Sequence, residues 1–392
     1  MRLGLAAMGL ATPIGIGKEA VARQLFAGTR SGLAHEARIF PDRMAQVGLV
    51  DGPLPAPALH PARNNALMLL ALNEIRAEID AARDRFGPSR VALILGTSTS
   101  GIAEGEVAFA ARQRDGAWPA GFDYRQQELG SIAEAAAAAC GVAGPAYTIA
   151  TACSSSAKVF ASARRLIDAG MCDAAIVGGA DTLCGTTVNG FASLDAMSRG
   201  LCQPFSRNRD GINIGEGAAA FLLTRAPATV SLLGYGESSD AHHLSAPDPS
   251  GAGAEAAMRA ALSDAGLSPA DIAYVNLHGT ATPLNDAMEG RAVHNIFGAA
   301  TPCSSTKAMT GHMLGAAGAC EAAFLYLALH PDYGQDRLPP HLWDGAVDPD
   351  IPPLNLVASE TRLAPAPRRA MLSNSFAFGG SNMALILGRG DW

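Results

Sequence analysis

Short apolar runs alternating with alanine-rich helical stretches restrict this chain to an α/β fold with buried parallel strands. Such runs cover residues 91–95, 146–150, 174–177, 273–277 and 370–373. Each ends in Gly, Ser or Thr, as expected where loops at strand ends build a site. An internal echo sharpens the picture. Leu95-Gly96-Thr97-Ser98-Thr99 follows one strand, and His278-Gly279-Thr280-Ala281-Thr282 follows another. A glycine turn and an apolar strand close both parts, at residues 215–223 and 378–387. The pattern implies duplication of an α/β unit with its boundary near residues 226–229.

With 392 residues, 48% of them hydrophobic, the chain can bury a large core. Its net charge of −7 gives no global attraction to nucleic acid or to an anionic membrane surface. Lysine occurs only at positions 18, 158 and 307, which makes Lys307 conspicuous. The 7 cysteines are odd in number and contain no CxxC pair, so a disulfide scaffold and a zinc site are both poorly supported. A reducing cytoplasm fits that usage. The opening residues resemble a weak signal peptide, but Thr12-Pro13-Ile14-Gly15 breaks the run, and a first strand is expected. No stretch approaches the ~18 apolar residues a membrane helix needs, so no membrane insertion is expected. Residues 35–65 and 332–353 are proline-rich and read as irregular surface excursions.

Cys153 stands in Thr151-Ala152-Cys153-Ser154-Ser155-Ser156, directly after a strand. Val159, Phe160, Ala163, Leu166 and Ile167 then follow helical spacing, which puts Cys153 at a helix N-terminus. The helix dipole there favours thiolate, and the geometry resembles a nucleophile elbow carrying sulfur. A buried cysteine in a tight turn is the plainer alternative. His278, flanked by glycine at a strand end, has an approachable imidazole, and Thr280 and Thr282 offer hydroxyls to an extended polar ligand. Lys307, His312 and Glu321 follow on a glycine-rich segment entering an apolar helix. A glutamate there needs a partner, and Lys307 is the obvious one, whether for catalysis or for structure alone. Finally, Phe376 and Phe378 lie in Asn374-Ser375-Phe376-Ala377-Phe378-Gly379-Gly380-Ser381-Asn382. Amides there could face an oxyanion and a phenyl ring could gate a pocket; an ordinary turn is the alternative. His242, His243 and His294 lack ligand spacing, so no metal is assigned, and no Walker or Rossmann fingerprint implies a nucleotide cofactor.

Together these motifs resemble the elongating, Cys-His-His type of β-ketoacyl-[acyl-carrier-protein] synthase. Pro204-Phe205-Ser206-Arg207-Asn208-Arg209-Asp210-Gly211 and Gly215-Glu216-Gly217 resemble internal signatures of the same family. The resemblance runs from Gly9-Leu10-Ala11-Thr12-Pro13-Ile14-Gly15 to Phe378-Gly379-Gly380-Ser381-Asn382 and weakens between about residues 35 and 90. It implies a thiolase-like five-layer αβαβα fold in two similar halves, 1–228 and 229–392, the first carrying the cysteine and the second both histidines. It also implies roles for individual residues. Cys153 would hold the acyl group as a thioester, with the amides of Cys153 and Phe378 as oxyanion hole. His278 and His312 would promote decarboxylation of malonyl carrier protein. Lys307 and Glu321 would organise the site, Thr280 and Thr282 would contact the pantetheine arm with Phe376 nearby, and Phe378 would be the gate. No cofactor is implied beyond the phosphopantetheine of acyl carrier protein. The implied partners are that carrier protein and a second subunit, in a homodimer or in a heterodimer with a chain-length-factor-like chain.

Some positions depart from the family pattern. Asn285 and Ser206 replace commoner residues, Ser154-Ser155-Ser156 is similar to polyketide synthases, and Lys307-Ala308-Met309-Thr310-Gly311-His312 is similar to bacterial fatty-acid enzymes, so the elongated chain could be a fatty acid, a polyketide or an aryl polyene. Residues 96–102 and 278–286 are similar to aryl polyene pathway ketosynthases. Two other readings compete: a non-catalytic chain-length-factor subunit, which would lack the nucleophile, and a thiolase acting on coenzyme A thioesters, which would carry a second cysteine near the C-terminus. Arg199, Arg207 and Arg209 are candidates to meet an acidic carrier protein.

Overall fold

The structure is a computed structural model that describes residues 2–39 and 43–392. The apolar runs form strands where the sequence places them: Val91–Gly96, Ala146–Ile149, Ala174–Asp181, Ile272–Asn276 and Arg369–Phe376. The opening run is the strand Leu3–Thr12, buried between Gly217–Thr224 and Val230–Ser239.

Duplication shows directly in the strand order. The first half runs Ala146–Ile149, Val91–Gly96, Ala174–Asp181, Gly217–Thr224, Leu3–Thr12 across the sheet. The second runs Pro302–Ser304, Ile272–Asn276, Arg369–Phe376, Ser381–Arg389, Val230–Ser239. Counted by sequence among these strands, with the two-residue edge strand Asn355–Leu356 of the second half left aside, both follow the order third, second, fourth, fifth, first. In both, the fifth strand is antiparallel to its two neighbours. The halves join through their first strands, where Leu3 pairs with Leu232 and Gly4 with Ser231.

Layering follows from where the apolar faces point. Between the two halves lie the helices Ser155–Asp168 and Ala317–Leu329, each entered after the third strand of its half. Every residue of Ala317–Leu329 is buried, as an all-round apolar helix demands. It packs on strands of both halves. Outside the first half, Arg63–Asn73 and Ser131–Cys140 bury Leu67, Leu72 and Ile132 against the sheet. Outside the second, Ala252–Ala265 and Pro283–Phe297 bury Met258, Leu262 and Val293. The result is the five-layer thiolase-like architecture.

The excursion expected at 35–65 holds regular structure: His35–Ile39 and Arg43–Val47 pair antiparallel, and residues 40–42 lie outside the described residues. Their mixed charges and the lack of a glycine turn concealed it. The stretch at 332–353 holds no helix or strand, but Leu338 and His341 within it are buried. Among the described residues, no helix is long and apolar enough to cross a membrane.

Candidate active site

Cys153 sits on a sharp elbow between the strand Ala146–Ile149 and the helix Ser155–Asp168. The preceding residue, Ala152, has φ of 51°, a left-handed conformation that costs a non-glycine residue on the order of 1–3 kcal/mol. Ser155 holds the bend from inside: its Oγ donates to Ala152 O at 2.6 Å and accepts from the Thr151 amide at 2.8 Å.

The second half supplies both histidines by the same architecture. His278 follows the strand Ile272–Asn276, the position that Gly96-Thr97-Ser98-Thr99 occupies in the first half. Lys307 follows the third strand, the position of Cys153 in its own half. His312 lies just beyond, and its backbone pairs with the first half: its amide donates to Asn213 O at 2.7 Å and its carbonyl accepts from Gly215 at 2.9 Å. Such close approach explains the glycines. A Cβ at Gly215 would lie 2.2 Å from Thr310 O, and one at Gly311, where φ is +74°, would lie 2.9 Å from Gly215 N.

The ligating atoms of Cys153, His278 and His312 lie within 4.8 Å of one another, and all three residues are buried. His312 Nε2 stands 3.0 Å from Cys153 Sγ. The imidazoles meet edge to face at a centroid separation of 5.3 Å. Lys307 Nζ donates to Glu321 and to the His278 carbonyl, forming a buried pair at the back of the histidines.

Electrostatics depart from the sequence expectation of a thiolate. Burial pushes the Cys153 thiol up to about 12, although Lys307 and the backbone amides of Phe378 and Cys153 pull the other way. Desolvation therefore outweighs the helix terminus, and the resting nucleophile is a neutral thiol. Burial, with Lys307 adding to it, holds both His278 and His312 well below the ordinary imidazole range. The site therefore offers a thiol, two neutral imidazoles, and two amides aimed at the sulfur. That set suits transfer of an acyl group onto sulfur, followed by stabilisation of an enolate oxygen. The same three donors could in principle grip a metal ion. However, Nδ1 of each histidine lacks the partner that orients a ligating imidazole.

A cavity of about 260 Å³ is lined by Cys153, both histidines, Phe376 and Phe378, and by Thr280, Thr282, Leu194 and Leu284. Leu194 and Leu284 are exposed and mark its rim. The Thr280 and Thr282 hydroxyls are 3.0 Å apart. Phe376 packs on His278 at 6.1 Å. Phe378, half-buried, meets Phe191 at 5.5 Å. Cys153, His278, Thr280, Thr282, His312, Phe376 and Phe378 therefore line one cavity, and Lys307, paired with Glu321, reaches it through the His278 carbonyl. Arg209 is different: its guanidinium is tied to Asp348, Ser206 O and Pro283 O and is nearly buried, while Arg199 and Arg207 are exposed. Arg209 thus braces its loop, and only the other two can meet a partner. Asn285 lines the cavity and donates to Asp286 at 3.2 Å, and Ser206 bonds Asp344 at 2.7 Å.

Sequence reasoning missed two buried carboxylates. Glu289 accepts the His278 and Gly279 amides at 2.7 Å each, and burial raises it to about 7. Asp181 gathers Thr97, Ser98 and Thr99 together with the amide of Gly315, just after His312. Its seat at the end of the apolar strand Ala174–Asp181 was the available signal.

Comparison with known proteins agrees with this architecture. The profile "Beta-ketoacyl synthase, N-terminal domain" matches residues 64–228, and "Beta-ketoacyl synthase, C-terminal domain" matches 229–342. The chain is 35% identical over 263 residues to the 3-oxoacyl-[acyl-carrier-protein] synthase 2 of Staphylococcus aureus, covering 63% of this chain and 64% of the relative. It is 38% identical over 267 residues to the mitochondrial 3-oxoacyl-[acyl-carrier-protein] synthase of Arabidopsis thaliana, covering 63% and 57% respectively. The match thus spans about two thirds or less of those relatives' length. Among solved structures, the ketosynthase ApeO in complex with its chain length factor ApeC from Xenorhabdus doucetiae superposes with a TM-score of 0.93 at 44% identity, covering 99% of this chain and 98% of that one. On these grounds the chain belongs to the β-ketoacyl synthase family.

Proposed function

We propose that this chain is a condensing enzyme that joins an acyl group held on Cys153 to a malonyl unit carried by acyl carrier protein. The observation that carries the reading is the 3.0 Å approach of His312 Nε2 to Cys153 Sγ, with His278 in the same buried cluster facing one cavity. In the first half-reaction His312 takes the thiol proton as sulfur attacks the acyl thioester. The tetrahedral oxygen sits between the Cys153 and Phe378 amides, and the departing pantetheine thiolate recovers the proton. In the second, the malonyl carboxylate leaves as CO2 and its electron pair passes to the thioester carbonyl. His278 and His312 hydrogen-bond the resulting enolate oxygen. The enolate carbon attacks the acyl carbon, the new C–C bond forms, and the Cys153 thiolate leaves and is reprotonated. Decarboxylation generates the carbanion equivalent without a strong base, which suits two imidazoles held neutral. No resident cofactor enters either step.

Thr280 and Thr282, along the cavity wall, would hold the pantetheine arm, with Phe376 behind it and Phe378 as gate. Lys307 and Glu321 would set the histidines. The likeness to a ketosynthase solved with its chain length factor supports a partner subunit of that kind, with this chain as the active member, acting in an aryl polyene or related polyketide pathway in the cytoplasm. The two halves would divide at 228/229. A non-catalytic role is disfavoured by the intact cysteine and histidines. The reading is tested by following CO2 release and 3-oxoacyl product from acyl- and malonyl-carrier protein. Wild type should give both in equal amounts, whereas His278→Ala should lose decarboxylation yet still accept acyl groups on Cys153. Failure of wild type, with its partner subunit present, to release CO2 from any acyl chain would overturn the proposal.

A further inference from the structure

The two backbone amides that favour a charge at the Cys153 sulfur come from opposite halves of the fold. One belongs to Cys153 itself, at the foot of the helix Ser155–Asp168. The other belongs to Phe378, in the turn between the strands Arg369–Phe376 and Ser381–Arg389. Acyl transfer needs both donors at hydrogen-bond distance from one oxygen, so their separation must be held across the interface. The Phe378 turn is closed at its base, where the Ala377 amide donates to Ser381 O at 3.0 Å. Two glycines, Gly379 and Gly380, follow Phe378 with φ of 80° and 77°. Backbone bonds tie this turn to its own half, the Gly379 amide donating to Leu244 O at 2.7 Å and the Asp240 amide to Gly380 O at 2.9 Å, so its distance from Cys153 depends on an anchor in the other half.

That anchor is a pair of hydroxyls. Ser154, the residue after the nucleophile, is fully buried, and its Oγ lies 3.1 Å from Ser381 Oγ. The same oxygen lies 2.9 Å from Thr151 O and 3.0 Å from Thr151 Oγ1, so the chain of hydroxyls runs from the elbow to the base of the turn. Ser154 is also the N-cap of its helix, where a serine hydroxyl ordinarily accepts a first-turn amide. Here it makes no such bond. Its hydroxyl is therefore not a helix cap, and removing it costs the helix nothing at that end.

We infer that Ser154 and Ser381 are a positioning pair that sets the separation of the Cys153 and Phe378 amides for acyl transfer. The inference rests on the condensing-enzyme reading and adds residues to which no catalytic role attaches otherwise. The test compares wild type, Ser154→Ala, Ser381→Ala, the double variant and Ser381→Thr. Two rates are read: self-acylation of Cys153 from acyl-carrier protein, by intact mass, and alkylation of Cys153 by iodoacetamide, which needs no oxyanion hole. Each alanine variant should lose about tenfold in maximal acylation rate, a fraction of what deleting an oxyanion donor costs. Half-saturation and alkylation should stay unchanged, the double variant should be no slower than either single, and Ser381→Thr should recover most of the rate. Unchanged acylation in the alanine variants would overturn the inference, as would losses that multiply in the double variant or that alkylation shares. Failure of wild type itself to be acylated would instead sink the condensing-enzyme reading, and this inference with it.

Discussion

Cys153 is the residue whose chemistry its surroundings alter most. Burial pushes its thiol up to about 12, so the thiolate fraction keeps rising with pH across the whole working range. Iodoacetamide alkylation of Cys153 should therefore accelerate about tenfold per pH unit from 6 to 9, without levelling off. A plateau below pH 8 would mean that Lys307 and the amides outweigh desolvation. The histidines, held low by burial, should stay neutral as pH falls through their ordinary range, so acylation should show no inflection near 6.5. Lys307 and Glu321 make a different case. Both are buried, and removing one partner strands a charge, at a cost of about 3–5 kcal/mol. Lys307→Met should thus unfold at much lower urea than Lys307→Met/Glu321→Leu, which strands none; equal midpoints would show the pair to be uncoupled. Cys153 between its strand and helix, the glycine-flanked His278 and His312 and the isolated Lys307 were legible because residue type and neighbours suffice to suggest their chemistry. Glu289 was not, because a carboxylate satisfied by backbone amides leaves no trace in sequence spacing, and Asp181 showed only as an acid closing an apolar strand.

At the scale of elements, the site depends on how tightly the two central helices pack. A Cβ at Gly318, in the first turn of Ala317–Leu329, would sit 2.6 Å from Ala157 Cβ and 2.7 Å from Ala157 N on the neighbouring helix. These are backbone as well as side-chain contacts and cannot swing aside. Gly318→Val should cost about 1–3 kcal/mol by overpacking, read as a lower thermal midpoint. It should also slow acylation more than Gly200→Ala, where φ is ordinary and a Cβ meets nothing within 4 Å. Comparable activity in the two variants would show the helices to have slack. The strands and both central helices were readable from apolar runs and periodicity. The strand pair His35–Ile39/Arg43–Val47 was not, because charged residues interrupt its alternation. Pairing of the Phe378 turn with the nucleophile elbow was equally hidden, since residues 154 and 381 meet only through the tertiary fold.

The whole molecule is two copies of one unit that share a core. Ala317–Leu329 contacts strands of both halves, and Cys153 and the two histidines come from opposite halves. A segment comprising residues 229–392 alone should expose that helix and show no cooperative transition, whereas the full chain should melt in one; calorimetry distinguishes the two. Duplication was visible in the sequence as an echo, but the sharing of a central layer was not, because periodicity does not say which faces meet. The account's central claim is that this shared core exists to present Cys153 as an acyl acceptor to two imidazoles. Intact-protein mass after incubation with acyl-carrier-protein thioesters, with wild type beside Cys153→Ala, tests it most directly. The account predicts a single hydroxylamine-labile acyl adduct on wild type and none on the variant. Absence of any adduct on wild type, or an adduct that survives in Cys153→Ala, would contradict it.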